Sequence, residues 1–294
     1  GVKEAYESEN FPSLAHKLGV KVIHIAERDT QVTDKPKQVN EFVNTWSVEG
    51  FYEEGIAPAE LGWGTHEKTL PINAYQHPDG PKNQICIAQP GAKTWVRSWV
   101  PNMETTGMVI RHGEAFTISD HLTVWDKEKA VYRPTVHYAY CPTDAAVASM
   151  HELEMRQWDL TTNQRIMNEE IIDGDDRLGV LLMGHAYKSW WTGSLLNIHD
   201  SRKLIPKQSA TTVQVASAVY AAVAWAMANP NAGYRVPDDL PWREVLAFAE
   251  KYWGGYHSAA ADWDPLMHRN DLFKGWNNRN YDESDPWQFS NFLV

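Results

Sequence analysis

Apolar and polar positions alternate along this chain in a way that predicts helices at both ends and strands between them. Phe11–Leu18 has helical spacing, and Gly19 is a plausible stop before an apolar, β-branched strand, Val20–Ala26. The polar stretch Asp29–Lys37 predicts a loop. Phe42–Val48 reads as a strand or a short turn-rich segment, and the Gly/Pro-punctuated Ile56–Thr65 as irregular. From residue 84 the period shortens. Ile85–Ala88 and Thr94–Val100 flank the tight-turn sequence Gln89-Pro-Gly-Ala92, and Gly107–Arg111, Ala115–Ile118, Thr123–Trp125 and Val131–Tyr140 continue the strand series. Thr143–Glu154 predicts a helix capped by Thr143 or Asp144. Gly179–Met183 reads as a buried strand, with His185–Trp191 and a turn after it.

Thr211–Ala228 is the clearest helix, closed by Asn229-Pro-Asn-Ala-Gly233. Pro241 opens a further helix, Trp242–Lys251, and the tail past Asp262 reads as largely loop. Strands in series between helices predict an α+β fold with a mainly antiparallel sheet. The expected division is residues 1–27 as the end of an incomplete nucleotide-binding α/β region, 28–228 as an α+β body, and 229–294 as a helix and tail packing back on it.

The chain has 294 residues, 43% of them hydrophobic and 22% charged, the profile of a soluble globular protein. A formal net charge of −11 argues against nucleic acid and suits a cationic ligand. Cys86 and Cys141 are too few for a disulfide framework or a zinc knuckle, so a reducing, cytoplasmic setting is expected and no metal. The apolar run 213–227 is interrupted by Ser217 and Tyr220 and reads as a buried helix, not a membrane span.

The segment from His24 to Glu67 concentrates the candidate chemistry: Glu27, Trp46, Glu49, Glu53, Glu54, Glu60 and Glu67. Carboxylates beside an indole can hold a small dication, by charge pairing at its ends and cation–π attraction to the ring. The bland readings are that tryptophans pack cores, that Glu53–Glu54 is a solvated edge, and that Asp173–Asp176 is an exposed turn. His112 and His121 lack a third ligand at short spacing, which disfavours a metal.

Several long motifs resemble bacterial homospermidine synthase, of the saccharopine-dehydrogenase-like family. They are His24-Ile-Ala-Glu-Arg-Asp-Thr-Gln31, Asn44-Thr-Trp-Ser-Val-Glu-Gly50, Glu60-Leu-Gly-Trp-Gly-Thr-His-Glu67, Gln89–Trp99, Arg111–Leu122, Asp173–His185, Asn229-Pro230 and Asp285–Phe289. The resemblance implies an NAD-dependent aminobutyl transfer, in which two putrescines give homospermidine and ammonia, and a homodimer. It implies a cation–π face from Trp46 and amine ends bound by Glu27 and Glu54, one of which takes up a proton. His112 would orient a carboxylate or relay protons, and Asp176 would anchor a distal ammonium.

A dinucleotide fold would show a strand, G-x-G-x-x-G and a helix. The only near match is Gly62-Trp-Gly64, followed by His66 and Glu67 where the third glycine and a helix belong. The chain is therefore expected to be the substrate-binding and dimerisation part of a longer enzyme and inactive alone. Two other readings stay open. One is an amino-acid or carboxyspermidine-type dehydrogenase using Arg97 or Arg111; the other is a non-catalytic polyamine-binding or dimerisation module.

Overall fold

A computed structural model describes residues 1–79, 82–270, 272–273, 275–276 and 281–294. The run of β-branched and apolar residues after Gly19 forms strand β1 (Val22–Asp29), entered through helix α1 (Phe11–Leu18). Gly19 closes α1 at φ 84°, a left-handed position that favours glycine. Strands β2 (Pro58–Gly62), β3 (Ala74–Gln76), β4 (Gln84–Pro90), β5 (Trp95–Val100), β6 (Met103–Met108), β7 (Thr135–Cys141), β8 (Asp175–His185), β9 (Lys188–Asn197) and β10 (Tyr256–Ala261) complete a ten-stranded sheet. Its order is β10-β9-β8-β1-β7, after which it forks: β2-β4-β3 continue from one end of β7 and β6-β5 from the other. The expected antiparallel character holds, and β1–β7 is the one parallel pair described in this sheet. β1 runs through residues 27 and 28, where the sequence reading set a boundary.

Alternation along β1 divides the interior in two. Val22 and Ala26 join an aromatic core with Val96, Leu181, Trp191, Trp263, Phe289 and Phe292. Ile23 and Ile25 face a second core with Phe42, Phe51, Ile110, Tyr138, Tyr140 and Met150. Glu27 and Asp29 follow Ile23 and Ile25 at two-residue spacing and so lie on that second face.

Several elements differ from the sequence reading. Ala115–Ile118 is not a strand. It belongs to helix α3 (Glu114–His121), which buries Ala115 and Ser119 against β2. A Cβ on Gly62 would come within 2.3 Å of Ala115 O and Ser119 Cβ, so glycine lets the helix approach. Ile56–Thr65 contains β2, with Pro58 at its first position, where a missing N–H is tolerated. Phe42–Val48 yields only a short strand, Phe42–Asn44. Ser47 then caps helix α2 (Val48–Ile56) by accepting a hydrogen bond from Gly50 N. Gly50 and Gly55 hid this helix, because Trp46 and Met150 pack where their side chains would be.

Val131–Tyr140 is two strands broken at Arg133–Pro134, and His185–Trp191 is the turn and start of the β8–β9 hairpin. The Ala-rich β10 was not read at all. Helix α4 (Asp144–Met155) is capped by Thr143 as expected. Helix α5 (Ala210–Ala228) starts one residue before its expected position, and α6 (Trp242–Ala249) gives way to a 3-10 turn at Glu250. α5 is long and apolar enough to cross a membrane by length and composition, but it is not the buried helix expected. Only 33% of its most apolar window is buried, and Val215, Val219, Val223 and Met227 are exposed. The loop expected past Asp262 includes residues 271, 274 and 277–280, which lie outside those described.

Candidate active site

The parallel β1–β7 and antiparallel β1–β8 registers build the site. Glu27 lies opposite Tyr140 on one side and Leu178 on the other, and Asp29 lies directly opposite Asp176. Directly opposed residues in an antiparallel pair share a face, so this end of β1 gathers Glu27, Asp29 and Asp176, all nearly or fully buried. The nearby arginines of the same strands turn elsewhere: Arg28 to Pro142 O and Asp144, Arg177 to Asp175 and Pro101 O.

The three carboxylates are held very differently. Asp29 accepts from Thr45 Oγ1 (2.7 Å), Thr211 Oγ1 (2.9 Å), Gln31 N (2.9 Å) and Gln31 Nε2 (3.0 Å). Glu27 accepts from the Tyr138 hydroxyl. Neither oxygen of Asp176 has a hydrogen-bond partner among the described residues. Thr211 lies close to it, but a hydroxyl has one proton, and that one goes to Asp29. Gln214 donates to the Asp176 carbonyl (3.0 Å) and to Ser194 Oγ (2.7 Å), which leaves its own buried Oε1 unpartnered.

Burial, above all, raises Glu27 to about 7, with the Tyr138 hydrogen bond opposing and the Asp29 charge adding to it. Burial and the charges of Glu27 and Asp29 drive Asp176 well above the usual carboxylate range. Burial raises Asp29 too, against the pull of its donors. Like charges this close in a dry interior cannot all ionise unless a cation joins them.

Toward the surface the site changes character. Trp46, half-buried in the turn before α2, donates from Nε1 to Tyr140 OH (2.8 Å) and packs against Phe51. His112 stands between Glu114 (Nδ1 to Oε1, 2.7 Å) and Glu54 (Nε2 to Oε2, 3.3 Å), with its ring 4.7 Å from that of Tyr138. Burial pulls the imidazole down, but the two carboxylates outweigh it and lift it to about 10. His112 is thus a cation at neutral pH. An open depression of about 260 Å³ lined by Glu53, Glu54, Arg111, His112 and Gly113 leads from solvent to this group. Larger or deeper hollows lie elsewhere. One, between α5 and α6, is apolar and about 500 Å³; another, of about 180 Å³, has its cations Arg28 and Lys37 already paired with Asp144 and Glu152.

Of the five candidates, Glu27, Trp46 and His112 therefore meet Tyr138 or Tyr140 directly, Glu54 joins them through His112, and Asp176 lies within the field of Tyr140. Other acidic residues of the same segment do not join them. Glu49 and Glu53 are exposed, and Glu60 lies 3.5 Å from Arg111 Nε. The Glu67 side chain is buried but accepts from Thr135 Oγ1 (2.6 Å) and Phe289 N (3.0 Å), fastening the tail. Asp29, Tyr138 and Tyr140 were missed. The signal was present as two-residue spacing, Glu27 to Asp29 and Tyr138 to Tyr140, in strands whose pairing was unknown.

A family model, the saccharopine dehydrogenase C-terminal domain, matches residues 3–253. The chain belongs to that family. It is similar to the homospermidine synthase of Blastochloris viridis, 49% identical over 295 residues, covering 99% of this chain and 61% of the relative. With the homospermidine synthase of Mesorhizobium japonicum it shares 46% identity over 291 residues, covering 98% of this chain and 59% of the relative. The crystal structure of the homospermidine synthase from Legionella pneumophila in complex with NAD superposes with a TM-score of 0.93 at 39% identity, covering 100% of this chain and 65% of that one. The chain thus spans about three fifths of the length of the curated relatives it matches.

This saccharopine dehydrogenase C-terminal domain offers no dinucleotide cradle at its one near-match sequence. Gly62 is pressed against α3, and a Cβ on Gly64 would sit 2.7 Å from Thr135 N and His66 Nδ1. Those glycines serve packing and leave no room for a pyrophosphate. Arg97, a candidate for binding an amino-acid carboxylate, is taken up by Pro265 O, Met267 O and Glu104.

Proposed function

We propose that this chain supplies the substrate-binding part of an NAD-dependent homospermidine synthase, which joins two putrescines with release of ammonia. The observation that carries the reading is the buried trio Glu27, Asp29 and Asp176, which among the described residues forms no salt bridge and whose Asp176 oxygens accept no hydrogen bond. A diammonium chain fits that deficit. One end would meet Asp176 and Glu27, the methylene stem would run past Tyr138 and Tyr140, and a cationic nitrogen would lie against the Trp46 indole. Glu27, already close to neutral pH, suits the taking up of an ammonium proton. Glu54 and His112 would receive the amine at the mouth.

NAD, which the Legionella relative holds, would supply hydride acceptance and return. Of the described residues, the tightly packed Gly62-Trp-Gly64 turn leaves no room for its pyrophosphate. A homodimer in a reducing, cytoplasmic setting completes the proposal, with light scattering on the purified chain as its check. Arg111, at the rim of the depression, is the residue an amino-acid substrate would need, but its guanidinium lies beside Glu60.

Calorimetry tests the reading. Putrescine should bind the chain, and Trp46→Ala should weaken binding by roughly 3- to 30-fold, the range of a cation–π contact, with Trp46→Phe in between. Preference for an α-amino acid over putrescine, or wild-type affinity in Trp46→Ala, would reject it.

A further inference from the structure

Asp29 is the most heavily hydrogen-bonded carboxylate of the site, and its bonds reach three separate elements. Just past the end of its own strand it holds Gln31 through both N and Nε2. Gln31 in turn accepts from Ala210 N, at the first residue of α5 (2.8 Å). Across the site Asp29 holds Thr45, the residue before Trp46, and from α5 it holds Thr211. The Thr45 carbonyl is then pinned from the far side by the hydroxyls of Ser209 (3.0 Å) and Thr212 (3.2 Å). The backbone that presents the indole is thereby clamped between Asp29 and the amino end of α5. The Trp46 side chain has a separate anchor, Tyr140.

With four donors on two oxygens, Asp29 has little capacity left for a ligand. Its charge nonetheless faces Asp176 across β8 and Glu27 along β1, with Tyr140 and Cys141 on β7 and the Arg28 guanidinium within its field. Thr211 and Gln214 are the polar groups that face this end of the site from α5.

We propose that Asp29 is a positioning residue of the diamine site: it does not touch substrate, but holds the Trp46 turn in place and, by its fixed position beside Glu27 and Asp176, adds to the burial that makes those two carboxylates keep protons until a cation arrives. The proposal rests on the diamine reading above. Its consequence is a proton count. A diammonium ligand lets Glu27 and Asp176 ionise, so binding releases protons to solvent, and the three carboxylates titrate as one coupled set.

The test is calorimetry of putrescine binding across a pH series, in two buffers of different ionisation enthalpy, on the whole chain. Wild type should release protons on binding. Asp29→Asn should release fewer, with the pH of half-release moved down, because removing the Asp29 charge lets Glu27 and Asp176 ionise earlier. Its affinity should fall roughly tenfold, the size of a lost hydrogen-bonded charge. Thr45→Val keeps the charge but cuts the turn loose, so affinity should fall roughly threefold or more with the wild-type proton count.

The wild-type proton count in a folded Asp29→Asn variant overturns the electrostatic half, and wild-type affinity in Thr45→Val overturns the positioning half. Should Asp29→Asn fail to fold, Thr45→Val and a Thr45→Ser rescue still decide the positioning half, while a wild type that releases no protons on binding overturns the electrostatic one. Failure of wild type to bind putrescine at all is a different result: it removes the diamine reading itself, and this proposal with it.

Discussion

The two faces of β1 carry ionisable groups in equal seclusion and to opposite ends. On one, His24 and His137 lie 4.2 Å apart, ring to ring, beneath Phe289 and Phe292 of the tail. His24 Nδ1 meets Ser98 Oγ at 3.0 Å and His137 Nδ1 meets the Tyr138 carbonyl at 2.9 Å, and both Nε2 atoms are buried without partners among the described residues. Burial holds both imidazoles down, His137 to about 4, so they stay neutral and behave as core. On the other face, burial pushes Glu27 and Asp176 up, yet a depression lined by Glu54 and His112 lies next to Tyr138, whose hydroxyl bonds Glu27. Groups that desolvation keeps neutral become structure where the face is sealed. In the proposed diamine site, a charged molecule that enters would restore the charge.

Breaking the sealed face should have the largest effect. Phe292→Ala would leave a cavity over His24 and cost about 3–5 kcal/mol of stability, while putrescine affinity of the folded fraction stays unchanged. Denaturant melts and calorimetry on the same sample check both halves. Next comes acid. A group with a depressed folded-state pKa contributes stability that is present above its unfolded value, near 6.5, and lost as pH falls through the folded one, near 4 for His137. His137 alone should therefore cost on the order of 3 kcal/mol across that window, against an opposing gain from Glu27, so its loss is read as the difference between wild type and His137→Phe.

The open face should respond in the opposite sense. Asp176→Asn removes a buried carboxyl without partners, so the ligand-free fold should melt higher at neutral pH, while diamine affinity falls by roughly a hundredfold. Glu27, raised to about 7, contributes stability in its protonated form that fades as pH rises from its unfolded value through 7. The melting gain of Asp176→Asn should likewise grow toward alkaline pH. A variant that lost both stability and affinity would erase the distinction between the faces.

Much of this was legible in the sequence, unevenly. The β1 strand, the Thr143 cap, the α5 helix and the antiparallel character follow from local patterning. The short, glycine-containing α2 and the α3 helix were not legible. Their helicity depends on partners, Trp46 and Met150 over the glycines and β2 beneath Ala115, that no window along the chain reveals. Trp46, Glu27, Glu54, His112 and Asp176 were named from motifs, but Asp173–Asp176 as a segment still read by default as an exposed turn. Asp176 is instead wholly buried, because the β8 register places it opposite Asp29. That register joins residues far apart in sequence, and so Asp29 went unnoticed although it lies two positions from Glu27.

The parallel pairing of β1 with β7 has a kinetic consequence. β1 ends at Asp29, yet its two hydrogen-bonding neighbours begin only at Thr135 and Asp175. Closing loops of that length precedes any reward from pairing, so the central strand is a late arrival in folding and an exposed edge until then. An emerging chain would hold Glu27 and Asp29 in water, ionised and repelling one another, until β8 has left the ribosome. The acidic site should therefore form only once β8 is in place, and should respond early when synthesis or refolding is interrupted before that point.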